Sequence, residues 1–72
     1  MLIITKNNIC YKLGYNAKEN FNLIDEAIDI NSNFWWFHLN SQPSGHCIVH
    51  NENLDEQIIL FASNLVKYNS RV

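Results

Sequence analysis

All three histidines of the chain come after an aromatic run in its middle third. His38 follows Phe34-Trp35-Trp36-Phe37, and His46 and His50 come after a short segment that contains a proline and a glycine. Three chemistries suit these side chains. Aromatic rings can stack on unpaired nucleobases while imidazoles form hydrogen bonds. Alternatively, the imidazoles could hold a metal ion or transfer protons near neutral pH.

The surrounding sequence favours stacking over the other two chemistries. No cysteine or carboxylate accompanies the histidines at metal-ligand spacing. No nucleophile, glycine-rich phosphate loop or pair of carboxylates accompanies them either. We therefore expect no catalytic residue, no metal ion and no cofactor. A structural interpretation stays open, because aromatic side chains on a sheet face often form a core or an oligomer interface.

Composition limits the classes of protein and partner. The chain has 72 residues, of which 47% are hydrophobic, and this predicts one small globular domain. Its net charge is −2 and its basic residues are scattered, whereas generic nucleic-acid binders usually have clustered positive charge. No apolar run is long enough to span a membrane, so we expect no membrane partner. Cys10 and Cys47 could form at most one disulfide, and we expect two reduced thiols in a cytoplasmic protein.

Two extended segments, about residues 33–40 and 46–51, are expected to position the histidines. They are rich in aromatic and β-branched residues, and Pro43 and Gly45 interrupt the stretch between them, which predicts a hairpin. If His38 pairs with His46, strand alternation defines two faces. One face carries Trp35, Phe37, Cys47 and Val49; the other carries Phe34, Trp36, Ile48 and the three histidines. We expect the first face to support the helices and the second to point away from them.

The other elements follow from local signals. Segments 2–5 and 9–13 predict a hairpin around a polar turn. Asn16 and Glu19 have capping-box spacing at the start of a helix that ends near residue 27 or 28. Its main apolar stripe is Ala17, Phe21, Ile24 and Ile28, with Leu23 and Ala27 beside it. A second helix is expected from about residue 53, with an apolar face of Ile58, Ile59, Ala62, Leu65 and Val66. The predicted fold is therefore α+β, in the order ββαββα, with a small, mostly antiparallel sheet and two amphipathic helices on one face.

Two motifs in the middle of the chain are similar to those of a known family. They are Trp36-Phe37-His38 and, after a short loop, Pro43-Ser44-Gly45-His46 with an aliphatic strand behind it. Together they resemble the central motif of the NFACT RNA-binding domain, in which Trp-Phe-His precedes Pro-Gly-Ser-His. Segments on both sides agree with the family as well: Gly14, Asn16-Ala17, Asn20 and residues 62–70. The resemblance covers nearly the whole chain.

The resemblance implies a non-catalytic module that binds RNA, either tRNA or ribosomal RNA, or the ribosome itself. Members of the family occur in ribosome-associated quality-control factors that recognise stalled large subunits and tRNA. The nucleic-acid-binding residues carried over by position are Asn16, Asn20, Trp36, His38, Pro43, Ser44, Gly45 and His46. Trp36 would stack on a base and His38 and His46 would form hydrogen bonds. The loop at residues 43–45 would direct backbone N–H groups towards phosphate.

The chain departs from the family pattern at several positions. Tyr15 stands where the family usually has arginine, Phe34 replaces an acidic residue, and the order Ser44-Gly45 is reversed. The family also continues past the second helix into lysine-rich strands, so we expect one domain over residues 1–72 that lacks those strands. Uncovered sheet edges and apolar faces favour association. The alternative function is therefore a structural or protein-interaction domain that self-associates through its aromatic face or binds a partner protein.

Overall fold

A computed structural model describes residues 1–38 and 45–69 of the chain. Its elements are β1 (Leu2–Lys6), β2 (Ile9–Gly14), α1 (Ala17–Ile30), β3 (Trp35–Phe37), β4 (His46–His50) and α2 (Glu56–Tyr68). The predicted ββαββα order and the antiparallel sheet are confirmed. In the described part of the chain, neither helix has the length and apolarity needed to cross a membrane.

The four strands form one antiparallel sheet in the order β1-β2-β4-β3. The β1–β2 turn is tight because Asn7 and Asn8 adopt φ values of 53° and 65°, which asparagine tolerates better than most residues. At the opposite edge of the sheet, β3 pairs with β4, with Trp36 opposite Ile48 and Phe37 opposite Cys47. Continued by one residue, this register sets His38 opposite His46, which is the pairing from which the two strand faces were assigned.

The two helices pack on opposite faces of the sheet, so the expectation that both cover one face is wrong. The buried side chains of α2 pack with Cys47 and Val49, whereas those of α1 pack with Ile48. Neighbouring residues of a strand point to opposite sides. The histidine-bearing face is therefore not free of helices, because α1 covers its centre at Ile48.

Helix α2 supplies the larger core. Asp55 is its N-cap and accepts a hydrogen bond from the Ile58 N–H at 2.8 Å, so the helix begins at Glu56, three residues later than expected. Its buried stripe of Ile58, Ala62 and Val66 packs on Tyr11, Leu13, Cys47 and Val49. The spacing of the apolar residues predicts this face correctly except at Ile59, which is exposed.

Helix α1 buries Leu23 and Ala27, which were expected beside its main apolar stripe, together with Asn20. Its N-cap is confirmed, since Asn16 accepts a hydrogen bond from the Glu19 N–H at 2.9 Å. The buried residues are Asn20, Leu23 and Ala27, at i, i+3 and i+7, whereas Phe21 and Ile28 are 68% and 58% exposed. On this side of the helix, Leu23 and Ala27 pack on Ile48, and the Asn20 side chain accepts a hydrogen bond from the His46 N–H.

Candidate nucleic-acid interface

Three aromatic rings contact one another at the end of β3 and the start of β4. We call Trp36, His38 and His46 the ring cluster. Its ring centroids are 4.5 Å apart for Trp36 and His38, 5.1 Å for Trp36 and His46, and 5.2 Å for the two histidines. The β3–β4 register brings them together, because Trp36 and His38 lie on one side of β3 and His46 lies diagonally across on β4. The predicted juxtaposition of these three residues is therefore present.

Trp36 is the largest ring of the cluster and is half-exposed. The indole stacks on the His38 imidazole with an interplanar angle of 23°, and 49% of the tryptophan is exposed. His38 is exposed as well. A flat ligand can therefore approach the cluster from solvent, and stacking on an indole does not require a particular base.

His46 is the inner member of the cluster. Its backbone N–H donates to Asn20 Oδ1 at 3.2 Å, and its ring atom Nδ1 is buried without a hydrogen-bond partner among the described residues. Burial lowers the pKa of His46, and the nearby His38 lowers it further. At neutral pH the ring is therefore uncharged, and it is suited to hydrogen bonding rather than to pairing with phosphate as an ion.

The glycines and asparagines of the resemblance build the support beneath the ring cluster. A Cβ atom on Gly14 would overlap the Asn20 side-chain oxygen, and one on Gly45 would overlap the Gly14 carbonyl oxygen. These close approaches let Asn20 reach the backbone of His46. Asn20 is buried, whereas Asn16 is exposed and caps α1 with its side-chain oxygen.

The predicted phosphate-binding loop lies largely outside the described residues. Pro43 and Ser44 fall in the segment 39–44, and of the predicted loop only Gly45 is described, where it is buried against β2. The ring cluster and its support are therefore the part of the predicted site that the structure brings together.

His50 does not join the other two histidines. Its ring contacts Phe34, with centroids 4.8 Å apart, on the part of the sheet that α1 covers. Burial lowers the pKa of His50, and the positive charge of Lys12 contributes in the same direction. Among residues 1–38 and 45–69, no three histidine, cysteine or acidic side chains come together as metal ligands. His38 and His46 thus form a pair beside the Trp36 indole, and His50 lies apart from them.

The two cysteines form no disulfide with each other. Cys10 is partly buried and Cys47 is fully buried, and both are free thiols. Burial raises the pKa of Cys47 to about 12, so its sulfur is protonated at neutral pH and is a poor nucleophile. Cys47 therefore acts as a small apolar residue beneath α2.

Acidification is expected to destabilise the fold through His46 and His50. Both have lowered pKa values when folded, whereas an unfolded histidine titrates near pH 6.5. Their contribution is present above about pH 6.5 and is lost as the pH falls through the lower folded values, because the unfolded chain then binds more protons. Urea unfolding at a series of pH values should show a falling midpoint. A His46→Gln variant should show a weaker dependence, and a midpoint that does not fall would contradict this assignment.

Sequence reasoning missed two features of this region, the Asn20–His46 bond and the placement of α1 on the histidine face. One signal pointed to the first. Asn20 lies at i, i+3 and i+7 spacing with Leu23 and Ala27, so a polar residue continues a buried apolar stripe. A buried amide needs a hydrogen-bond partner, which implies a specific contact.

No family model, curated protein or solved structure matches this chain. The functional inference rests on the residues themselves and on their arrangement.

Proposed function

We propose that this chain is a non-catalytic RNA-interaction module of the NFACT RNA-binding type. It binds unpaired nucleotides of tRNA or ribosomal RNA, free or on the ribosome, in a process like ribosome-associated quality control in the cytoplasm. The ring cluster is the observation that supports this proposal. Trp36 and His38 are accessible, and His46 lies 5.1 Å from the indole, so stacking and hydrogen-bonding groups share one surface.

Each residue of the ring cluster has a distinct role in this proposal. Trp36 stacks on an unpaired base. His38 occupies one side of its indole, and Trp36 is half-exposed, so part of the indole stays accessible to a base. His38 and His46 form hydrogen bonds to the base edge or the ribose. Asn20 and the two glycines hold His46 in place and do not contact RNA.

Electrostatics predicts a modest affinity. The net charge is −2, and Lys12 is already paired with Glu26. The first turn of α1, which carries Lys18, is joined to the ring cluster through Asn20 and His46. The positive end of this helix and Lys18 favour a nearby phosphate. We therefore expect stacking to supply most of the binding energy, with few phosphate contacts.

Removal of the indole is the direct test of this function. Stacking on an aromatic side chain is worth about 1–3 kcal/mol per base, so Trp36→Ala should weaken single-stranded RNA binding about 5- to 150-fold. Fluorescence anisotropy with a labelled single-stranded RNA and with tRNA, at about 50 and about 200 mM salt, measures this affinity and its salt dependence.

Tyr68→Ala is the matched control, because Tyr68 is an exposed aromatic residue at the end of α2, away from the ring cluster. Its RNA affinity should equal that of the unmodified chain. Circular dichroism should show that both variants are folded. Undetectable RNA binding by the unmodified chain, or equal losses in the two variants, would refute the proposal.

Self-association is a second candidate function, favoured by large exposed apolar side chains. Phe21 and Ile28 of α1 and Trp36 of β3 leave much of their surface in solvent. Since α1 packs on the centre of the histidine face, only the part of that face beside the helix is open to a second copy. Sedimentation at several protein concentrations tests this function, and a monomer at the highest concentration would exclude it.

A further inference from the structure

An apolar groove lies between α1 and β3. Buried Ala27 and Ile48 form its floor, Ile24 and Ile28 form the wall on the helix, and Phe34 and Trp36 form the wall on the strand side. The groove has a volume of about 500 Å³ and is open to solvent. We call it the α1–β3 groove. It adjoins the ring cluster, because Trp36 belongs to both.

No charged side chain of the described residues lines this groove. Besides its floor and walls, the lining consists of Asn31, Ser32 and Trp35. A phosphate, a carboxylate or an ammonium group would therefore find no ion-pair partner inside it. Apolar and aromatic walls with a few polar groups are typical of sites that hold an uncharged part of a ligand.

Two polar side chains mark one end of the groove, where the chain leaves α1. The Asn31 Oδ1 atom accepts a hydrogen bond from the Asn33 N–H at 3.0 Å, and the Asn31 Nδ2 atom has no partner among the described residues. Ser32 is exposed, and its hydroxyl has no hydrogen-bond partner in the same part of the chain. An amide donor and a hydroxyl are therefore available to the polar edge of a ligand.

The Trp36 indole connects the groove to the ring cluster. His38 stacks on the indole with an interplanar angle of 23° and occupies one of its faces. Phe34 lies two positions before Trp36, on the side away from His38 along the chain, and lines the groove together with Trp36. A flat ring that stacks on the open part of the indole would therefore lie in the groove.

We propose that the α1–β3 groove is a pocket for a single unpaired nucleobase of the RNA. This inference rests on the proposed function and specifies where the base that stacks on Trp36 lies. The base contacts the indole on one side and Ile28 on the other, and its edge accepts hydrogen bonds from Asn31 and Ser32. The charged ribose-phosphate backbone stays outside the uncharged groove.

The lining favours a nucleobase over an aliphatic side chain of another protein chain. A base stacks on an aromatic wall, needs no ion-pair partner and carries hydrogen-bond acceptors on its edge, so it matches the walls, the absence of charge and the two donors. An aliphatic side chain would use only the apolar part of the lining.

Ile28→Ser, measured with two RNAs at about 50 mM salt, tests the pocket. The first RNA is a single-stranded oligouridylate, and the second is an abasic strand of the same length and charge. Ile28 is 58% exposed, so the variant should stay folded. It should weaken binding of oligouridylate about tenfold and leave the weaker binding of the abasic strand unchanged, because only a base contacts the groove. An equal loss with both strands, or no loss with either, would overturn the proposal.

Ile30→Ser is the matched control for Ile28→Ser. Ile30 is 60% exposed, but it lies on a different side of α1 and does not line the groove. This variant should bind both strands as the unmodified chain does. Equal effects of the two variants on oligouridylate binding would contradict the assignment to this groove.

Ser32→Ala tests the polar end of the groove. Loss of the hydroxyl removes one hydrogen bond to the base, so binding of oligouridylate should weaken about 2- to 10-fold. Ser63→Ala is the control, because Ser63 is an exposed serine of α2 that does not line the groove. Full affinity of Ser32→Ala would show that the base edge does not lie at this end.

Trp36→Ala separates failure of the pocket from failure of the proposed function. If Trp36→Ala weakens RNA binding while Ile28→Ser does not, the ring cluster binds RNA and the pocket assignment is wrong. If the unmodified chain binds no RNA, both proposals are wrong. Sedimentation identifies a protein occupant: a dimer that Ile28→Ser dissociates would show that a second copy occupies the groove and would overturn the proposal.

Discussion

Replacement of Leu13 by alanine is expected to destabilise the chain by about 2–5 kcal/mol, a large part of its total stability. Leu13 is 1% exposed and lies on β2 at the centre of the core that α2 covers. Domains of this size typically have about 4–11 kcal/mol of stability in total. Loss of the isobutyl group would leave a cavity between two central strands and α2, because the surrounding backbone is fixed by the sheet hydrogen bonds.

Urea unfolding monitored by circular dichroism measures the effect of Leu13→Ala. Ile3→Ala is the control, because Ile3 is also an aliphatic residue of the sheet but is exposed on the edge strand β1. The control should change the free energy of unfolding by less than about 0.5 kcal/mol. If the two variants lost similar stability, the core assignment would be wrong.

Replacement of Gly45 by alanine is expected to cost about 1–3 kcal/mol and to weaken RNA binding as well. The added Cβ would overlap the Gly14 carbonyl oxygen and press on the Leu13 side chain. Neither glycine has a positive φ, so the cause is close approach of the backbone and not a left-handed conformation. Because Gly14 pairs with His46, relief of the overlap should move His46, and with it the ring cluster, away from β2.

Two measurements test the Gly45→Ala prediction together, urea unfolding and RNA anisotropy. Ser63→Thr adds a methyl group at an exposed position of α2 and should change the free energy of unfolding by less than about 0.5 kcal/mol. RNA affinity should also stay unchanged in this control. A Gly45→Ala variant with full stability and full affinity would show that the close approach has no role.

Local signals in the sequence were sufficient for the strands and for the cap of α1. The Asn7-Asn8 turn, the cap at Asn16 and the period-two alternation all act within a few residues of the chain. These features depend on backbone geometry that a short segment determines by itself. The cap of α2 was expected near residue 53, whereas it is Asp55.

The placement of α1 could not be predicted in this way. A helical period identifies apolar stripes but does not say which side of a sheet the helix covers, or which of two stripes it buries. In this chain a bond between Asn20 and His46, which are 26 positions apart, makes the difference. The main stripe was predicted through Phe21 and Ile28, which are exposed, whereas Leu23 and Ala27, expected beside it, are buried.

The positions of some predicted binding residues agree with the expectation, and those of others do not. Trp36, His38 and His46 were expected to act together, and the structure brings their rings together. Asn16 and Asn20 were carried over as contact residues, but a resemblance does not distinguish a residue that touches a ligand from one that supports it. Asn20 is buried and accepts a bond from the His46 N–H, whereas Asn16 is exposed and caps α1.

The two tryptophans allow the most direct measurement of RNA binding by the ring cluster. Trp36 is half-exposed within the cluster, whereas the Trp35 indole N–H points to the other side of the sheet and donates to the Glu52 carbonyl oxygen at 2.8 Å. Titration of the isotope-labelled chain with single-stranded RNA, followed by nuclear magnetic resonance, reports the two indole N–H signals separately. We predict that the Trp36 signal and the His46 amide shift while the Trp35 signal stays in place. Shifts confined to Trp35 or α2, or no shift at saturating RNA, would contradict the account.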